Sequence, residues 1–192
     1  MATEAGVFFA LWLQKPWRIA AANPSSRRLA DAVAAQVDLS RPGPVLELGA
    51  GTGSLTRGLV RAGCPPERII AVEREPDLAR LLRQAVPRVT VIEADAREIA
   101  RHPTVADQSF CAVVSSLPIK WFSVAAQEAV IRPCLERLGP GGRFIQLTNA
   151  FCSPLPIGKL GIVGCEVARI WLNLPPAQIW CYWDAAVRSR GR

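Results

Sequence analysis

A short apolar run that ends in closely spaced glycines constrains this chain more than any other feature. Val45-Leu46-Glu47-Leu48 stops in Gly49-Ala50-Gly51-Thr52-Gly53, and Ser54 to Arg61 continues with helical spacing. An uninterrupted apolar run suits a strand buried on both faces, and such strands belong to parallel sheets covered by helices. Glycines at the carboxyl end let the backbone come close to a ligand. The helix that follows aims its N–H groups and the positive end of its dipole at the same place.

The same alternation continues downstream. Arg68 to Glu73 reads as a second strand, Glu75 to Ala85 as a helix stopped by Pro87, and Val89 to Ile92 as a third strand. Phe110 to Ser115 is the fourth, followed by a helix from Val124 to Leu138 that Gly139-Pro140-Gly141-Gly142 is expected to break. Arg143 to Thr148 is the fifth. Val167 to Leu172 and Gln178 to Trp183 are joined by a connection too short for a crossover helix, so the sheet is expected to close in an antiparallel hairpin. The pattern predicts a doubly wound, Rossmann-like α/β sheet of five parallel strands plus that hairpin. Upstream, Asn23-Pro24-Ser25-Ser26 reads as a helix start and Leu29 to Val37 as its continuation. Residues 1–43 are thus expected to form a helical extension or lid, and residues 44–192 the ligand-binding domain.

Composition narrows the class. At 192 residues and 50% hydrophobic, the chain can bury one substantial core, and its mean hydropathy of +0.19 is high for a soluble protein. Gly6 to Leu13 is its longest apolar stretch, too short to span a bilayer, and it lacks the pattern of a secretory signal; a cytoplasmic location is expected. The six cysteines form no CxxC pair and His102 is the sole histidine, so reduced thiols are expected and a metal site is not. The net charge of +7 implies a partner of negative charge, either nucleic acid or an anionic membrane.

Three acids sharpen the glycine loop into a binding pattern. Glu47 lies at its entrance, Glu73 ends the second strand where an acid can accept hydrogen bonds from ribose hydroxyls, and Asp95, beside Ala96, follows the third strand where it can read an adenine amino group. The spacing departs from the dinucleotide fingerprint, since residue 54 is Ser, and no P-loop Lys follows the glycines. A carboxylate at the entrance would repel a pyrophosphate and suit a cation. In these features the stretch resembles the class I S-adenosylmethionine-dependent methyltransferases, whose first motif reads acid-x-Gly-x-Gly-x-Gly. The resemblance implies S-adenosyl-L-methionine as cofactor, with Glu47, Gly49, Gly51 and Gly53 around its methionine part, Glu73 at the ribose, Asp95 and Ala96 at the adenine, and Ser115 close by.

Three further stretches resemble the soluble bacterial phospholipid N-methyltransferases, which methylate phosphatidylethanolamine. They are Ser115-Ser116-Leu117-Pro118, then Gly141 to Thr148, which reads Gly-Gly-Arg-Phe-Ile-Gln-Leu-Thr, and Trp171 to Trp180, which carries Asn-Leu-Pro-Pro-Ala. The resemblance implies methyl transfer to a phospholipid amine at the cytoplasmic face of the membrane. Ser115, Ser116, the carbonyls around Leu117 and Asn149 are the candidates at the acceptor; Lys120 and Arg143 are candidates for the lipid phosphate. Two departures stand out: Ser116 where the family has Gly, and Asn149-Ala150 where it commonly has Tyr-Gly.

Val7 to Ile19 mixes bulky aromatics with cations. Phe8, Phe9, Trp12 and Trp17 are expected among acyl chains, with Lys15 and Arg18 toward anionic headgroups, or else the aromatics pack on the sheet. Two other readings stay open. A ribosomal RNA or other nucleic-acid adenine N-methyltransferase would share the fold, but a Ser stands before Leu117-Pro118 where an Asn or Asp belongs and Ile119 where a base-stacking aromatic belongs. A catalytically degenerate binding protein is the other. No general base is evident; His102 is a weak candidate.

Overall fold

The computed structural model describes residues 24–171 and 176–185. The membrane-contact residues expected at Phe8, Trp12, Lys15, Trp17 and Arg18 lie outside these, as does Asn173-Leu174-Pro175 of the last motif.

Helix α1 (Pro24–Ala34) precedes strand β1 (Val45–Leu48), helix α2 (Ser54–Arg61), β2 (Ile69–Glu73), α3 (Pro76–Ala85) and β3 (Thr90–Glu93). A short α4 (Pro103–Ala106) leads to β4 (Phe110–Ser115), α5 (Val124–Glu136) and β5 (Leu138–Thr148). Then α6 (Ile157–Leu160), β6 (Ile162–Ile170) and β7 (Ala177–Asp184) complete the order. The seven strands lie in the order β3-β2-β1-β4-β5-β7-β6. The first five are parallel, and β7 inserts antiparallel between β5 and β6. The expected Rossmann-like sheet with a terminal antiparallel hairpin is what forms. Strand order reverses at β1, between β2 and β4.

Alternation along each strand divides the core into two layers. Leu46, Leu48, Val113 and Phe144 face α5 and its neighbours. Val45, Val114 and Ile145 face the other way and meet Ala30, Val33 and Ala34 of α1 and Leu55 and Leu59 of α2. Helix α1 therefore belongs to the core layer beside β1. Its approach to α2 depends on Gly58, where a Cβ would come within 2.8 Å of the Ala30 carbonyl oxygen.

One expectation needs correction. Helix α5 ends at Glu136, and Gly139-Pro140-Gly141-Gly142 lies inside β5 rather than in a loop before it. Phe110 pairs with Leu138 but Ala112 pairs with Arg143, so the glycines form a bulge. Gly141 at φ +72° lets the chain fold out and return to the ladder. The hairpin also begins earlier than its aromatic content suggested, at Ile162.

Filling the α1–α2 contact should strain both helices. Gly58→Val is expected to lower the melting temperature by roughly 5 °C, read by thermal denaturation, because overpacking costs about 1–3 kcal/mol.

Candidate functional site

A cavity of about 500 Å³ opens where the strand order reverses, over the carboxyl ends of β1, β2, β3 and β4. Its volume is ordinary for a small-molecule site, and the reversal is where open α/β sheets bind ligands. Gly49 and Gly51 line it from the β1 loop, Glu73 from β2, Asp95 and Ala96 from the β3 loop, and Ser116 and Leu117 from the β4 loop. Seven of the residues singled out in the sequence are thus brought to one wall.

The loop is shaped by its three glycines, all at positive φ: +75° at Gly49, +56° at Gly51 and +85° at Gly53. A Cβ at Gly49 would come within 2.8 Å of the Leu117 side chain, whereas one at Gly51 would meet nothing within 4 Å. Gly51 therefore presents bare backbone to open space. Gly53 lies behind the wall, against Leu82, and caps α2.

Side chains from both neighbouring strands hold this loop. Glu73 Oε2 accepts a 2.7 Å hydrogen bond from the Gly51 amide and Oε1 accepts one of 2.9 Å from Glu75 N. On the other side Ser116 Oγ donates to the Gly49 carbonyl at 2.6 Å. Each carboxylate oxygen of Glu73 can accept more than one bond, so capacity for a ligand hydroxyl is left after the loop is satisfied. Asp95 is clasped by Arg97, whose Nε and backbone N donate to Oδ1 at 2.9 Å. The guanidinium holds the Asp95 carboxyl below the usual carboxylate range.

Glu47 is not at the loop entrance. Strand alternation turns its side chain to the α2 face, where it is fully buried and Thr56 Oγ1 donates to Oε2 at 2.7 Å. Burial pushes the carboxyl up to about 7, against the hydrogen bond from Thr56 and the charge of Arg57. Its Oε1 has no partner. Thr56, one turn into α2, was not singled out in the sequence; a hydroxyl facing a buried acid across a glycine loop is the signal that would find it.

The acceptor-side expectations divide. Ser115 is completely buried, and its Oγ accepts from Leu117 N at 3.4 Å, so it lies beneath the loop rather than in the wall. The Leu117 carbonyl is committed: Ile119 N donates to it at 2.7 Å and Gln146 Nε2 at 3.0 Å. With both lone pairs used, it is not an acceptor for a substrate amine. Asn149 is exposed past the end of β5 and outside the cavity wall. Arg143 pairs with Ala112, three residues before the Ser115–Gln146 row and hence about 10 Å below the carboxyl edge. His102 caps α4, its Nδ1 accepting from Thr104 N, and is absent from the wall. Two buried glutamines outside the sequence expectations support the loop: Gln146, and Gln127 of α5, whose Nε2 donates to the Ile119 carbonyl at 2.9 Å. Trp121 and Phe122, also unanticipated, close the apolar side.

Residues 45–142, about half of the chain, match the family model of a methyltransferase domain. The chain belongs to the S-adenosylmethionine-dependent methyltransferases. The ornithine lipid N-methyltransferase of Singulisphaera acidiphila is 34% identical to this methyltransferase over 137 residues, 68% of this chain and 70% of that one. A ribosomal RNA small subunit methyltransferase A of Anaeromyxobacter dehalogenans is 51% identical over 57 residues, covering 29% of this chain and 19% of its own. Among solved structures, the N-methyltransferase NodS of Bradyrhizobium japonicum, in complex with S-adenosylhomocysteine, aligns at TM-score 0.65 and 16% identity over 90% of this chain and 93% of its own. The magnesium protoporphyrin IX methyltransferase of Synechocystis, with bound S-adenosylmethionine, aligns at 0.64 and 14% over 88% and 89%. These two likenesses are of fold.

The residues present fit the family's cofactor. Bare backbone at Gly51, spare acceptor capacity on Glu73 and the carboxylate of Asp95 on the same wall together suit a ligand with hydroxyls and a positive charge. What the bound cofactor supplies is a methyl group activated by a sulfonium.

Two measurements probe the loop and the groups that hold it. The folded chain holds the Glu47 proton more tightly than an ordinary carboxyl of 4.5, so this group's contribution is full below 4.5 and is lost as pH rises to about 7. Glu47→Gln should remove that slope, its stability relative to the parent rising by roughly 3 kcal/mol across the window in denaturant titrations. Glu73→Ala leaves the Gly51 amide without its acceptor. It is expected to weaken S-adenosylmethionine binding about tenfold or more by calorimetry, as loss of a hydrogen bond to a charged group does.

Proposed function

We propose that this methyltransferase transfers methyl groups to the headgroup amine of a membrane phospholipid, phosphatidylethanolamine toward phosphatidylcholine, at an anionic membrane surface. The observation that carries the reading is the likeness, over two thirds of the chain, to a lipid N-methyltransferase. The acceptor side of the cavity supports it. Leu117, Pro118, Trp121, Phe122 and Ala126 make an apolar wall whose polar groups are the hydroxyls of Ser116 and Ser123.

In this proposal Gly49, Gly51, Glu73, Asp95 and Ala96 hold the cofactor, and Glu47 and Gly53 support them from below, Glu47 through its bond from Thr56 and Gly53 through the loop's turn. Ser116 and Leu117 confine the acceptor, Ser115 positions Leu117 through its amide, and Asn149 guards the rim. Among the described residues no carboxylate or imidazole stands on the acceptor wall. In this reading the amine arrives neutral, its proton lost to water or to a headgroup before it enters. Alignment and exclusion of water then do most of the catalytic work, and effects of this kind can supply several kcal/mol. Phe8, Trp12, Lys15, Trp17 and Arg18 are proposed to contact the membrane from its cytoplasmic side. Among the described residues no helix is long and apolar enough to cross it.

An RNA substrate is the less supported reading. Ile119, at the place of a base-stacking aromatic, is buried in the core and offers no ring.

Incubation with methyl-labelled S-adenosylmethionine should label vesicles of phosphatidylethanolamine and of its mono- and dimethyl forms. Ornithine lipid and RNA run in parallel. Label in RNA alone overturns the proposal, and label in ornithine lipid alone moves the substrate to another lipid amine. Cofactor binding with no transfer to any lipid or RNA supports a degenerate binding protein instead.

A further inference from the structure

Among the described residues the large hydrophobic side chains left exposed are Trp121, Val124, Phe151 and Trp171, at 59%, 39%, 75% and 68%. All four follow the carboxyl end of a strand of the same sense. Trp121 and Val124 come after β4, Phe151 after β5 and Trp171 directly after β6. Strand β6 shares the direction of β5 because both run antiparallel to β7. One row of the sheet, Ser115 to Gln146 to Trp180 to Glu166, ties the four strands together, and all four side chains come five or more residues beyond it. Three strand spacings separate β4 from β6, about 14 Å. The rings therefore stand along one rim, and Trp121 is at the same time part of the cavity wall. Single exposed apolar side chains are ordinary on any surface; their confinement to the edge that carries the cavity is not.

The chemistry of the rim selects its partner. Lys120 Nζ lies 5.5 Å from the centroid of the Trp121 ring, and the Arg169 guanidinium 5.2 Å from that of Trp171 while also paired with Glu166. A tryptophan with a cation beside it fits the boundary of a bilayer, the ring at headgroup depth and the ammonium among the phosphates. Nucleic acid asks for a stripe of cations turned toward phosphodiesters. Here the described fold holds ten ion pairs between arginines and carboxylates, spread over its surface. With a chain charge of +7, the surface that remains complementary to this rim is an anionic lipid one.

We propose that the carboxyl rim bearing Trp121, Phe151 and Trp171 is a membrane-docking surface, which seats the cavity mouth at the headgroup level of an anionic bilayer. This rests on the lipid reading of the same cavity. It assigns a docking face to the folded domain itself, in addition to any contact made by residues 1–23. A lipid amine then reaches Trp121 and the acceptor wall without leaving the interface.

The test uses the full chain and the double variant Phe151→Ser/Trp171→Ser, both positions lying off the cavity wall. Co-sedimentation with vesicles of phosphatidylethanolamine and phosphatidylglycerol should show at least about tenfold weaker binding for the variant, as loss of two inserted aromatic side chains implies. Unchanged S-adenosylmethionine affinity controls for folding, and Phe151→Trp/Trp171→Phe should bind vesicles as the parent does. Vesicle binding unaltered by the serine substitutions overturns the proposal. So does a parent that binds RNA and not vesicles. Methyl transfer to detergent-dispersed phosphatidylethanolamine separates this from the substrate reading. Transfer by both proteins with unaltered vesicle binding removes the docking face alone. Weakened vesicle binding by the variant with no transfer to any lipid upholds the face and removes the substrate.

Discussion

The glycine loop after β1 is suspended between two side chains from different strands, and the site depends on that suspension. Glu73 draws in the Gly51 amide from β2, and Ser116 draws in the Gly49 carbonyl from β4. Both anchors exist because the strand order reverses at β1, which puts β2 on one side and β4 on the other. A loop of three glycines at positive φ has much conformational freedom to lose, and the two anchors hold it. Ser116 thus has a structural use. Its hydroxyl is spent on the loop, and its presence narrows the acceptor side.

Charge is apportioned unevenly between the two halves of the cavity. The half proposed for the cofactor carries Glu73, Glu75 and Asp95, tempered by Arg74 and Arg97, with Glu47 buried behind it. The half proposed for the acceptor is apolar apart from two serine hydroxyls. Its shape is maintained from beneath by Gln146 and Gln127, whose amides hold the backbone of the loop after β4. Such a division suits the proposed reaction of a cationic methyl donor with a neutral amine, because the field would stabilise the donor and the apolar wall would keep water away from the methyl.

The hairpin contributes more than closure of the sheet. By inserting β7 antiparallel, the chain lets β6 run in the same sense as β5, and the end of β6 returns to the edge where the cavity opens. Trp171 is carried there by topology alone. Tyr182 of β7 is buried beneath, sharing a 2.8 Å hydrogen bond with Ser153 in the segment that precedes β6.

The sequence by itself determined the parallel sheet, the place of the glycine loop and the acids Glu73 and Asp95, since each is a local pattern: an apolar run, a turn that needs positive φ, a strand end. It misjudged what depends on which way a side chain points and on what else reaches the same atom. Glu47 reads as a loop residue, yet alternation along β1 sends it under α2 to Thr56. The Leu117 carbonyl reads as available until Gln146, 29 positions away, is found donating to it. The glycines at Gly139 to Gly142 read as a helix stop, and only pairing with β4 makes them a bulge. Only the tertiary structure could gather Trp121, Phe151 and Trp171 on one rim, because strand order and direction are set by long-range pairing that no local window contains.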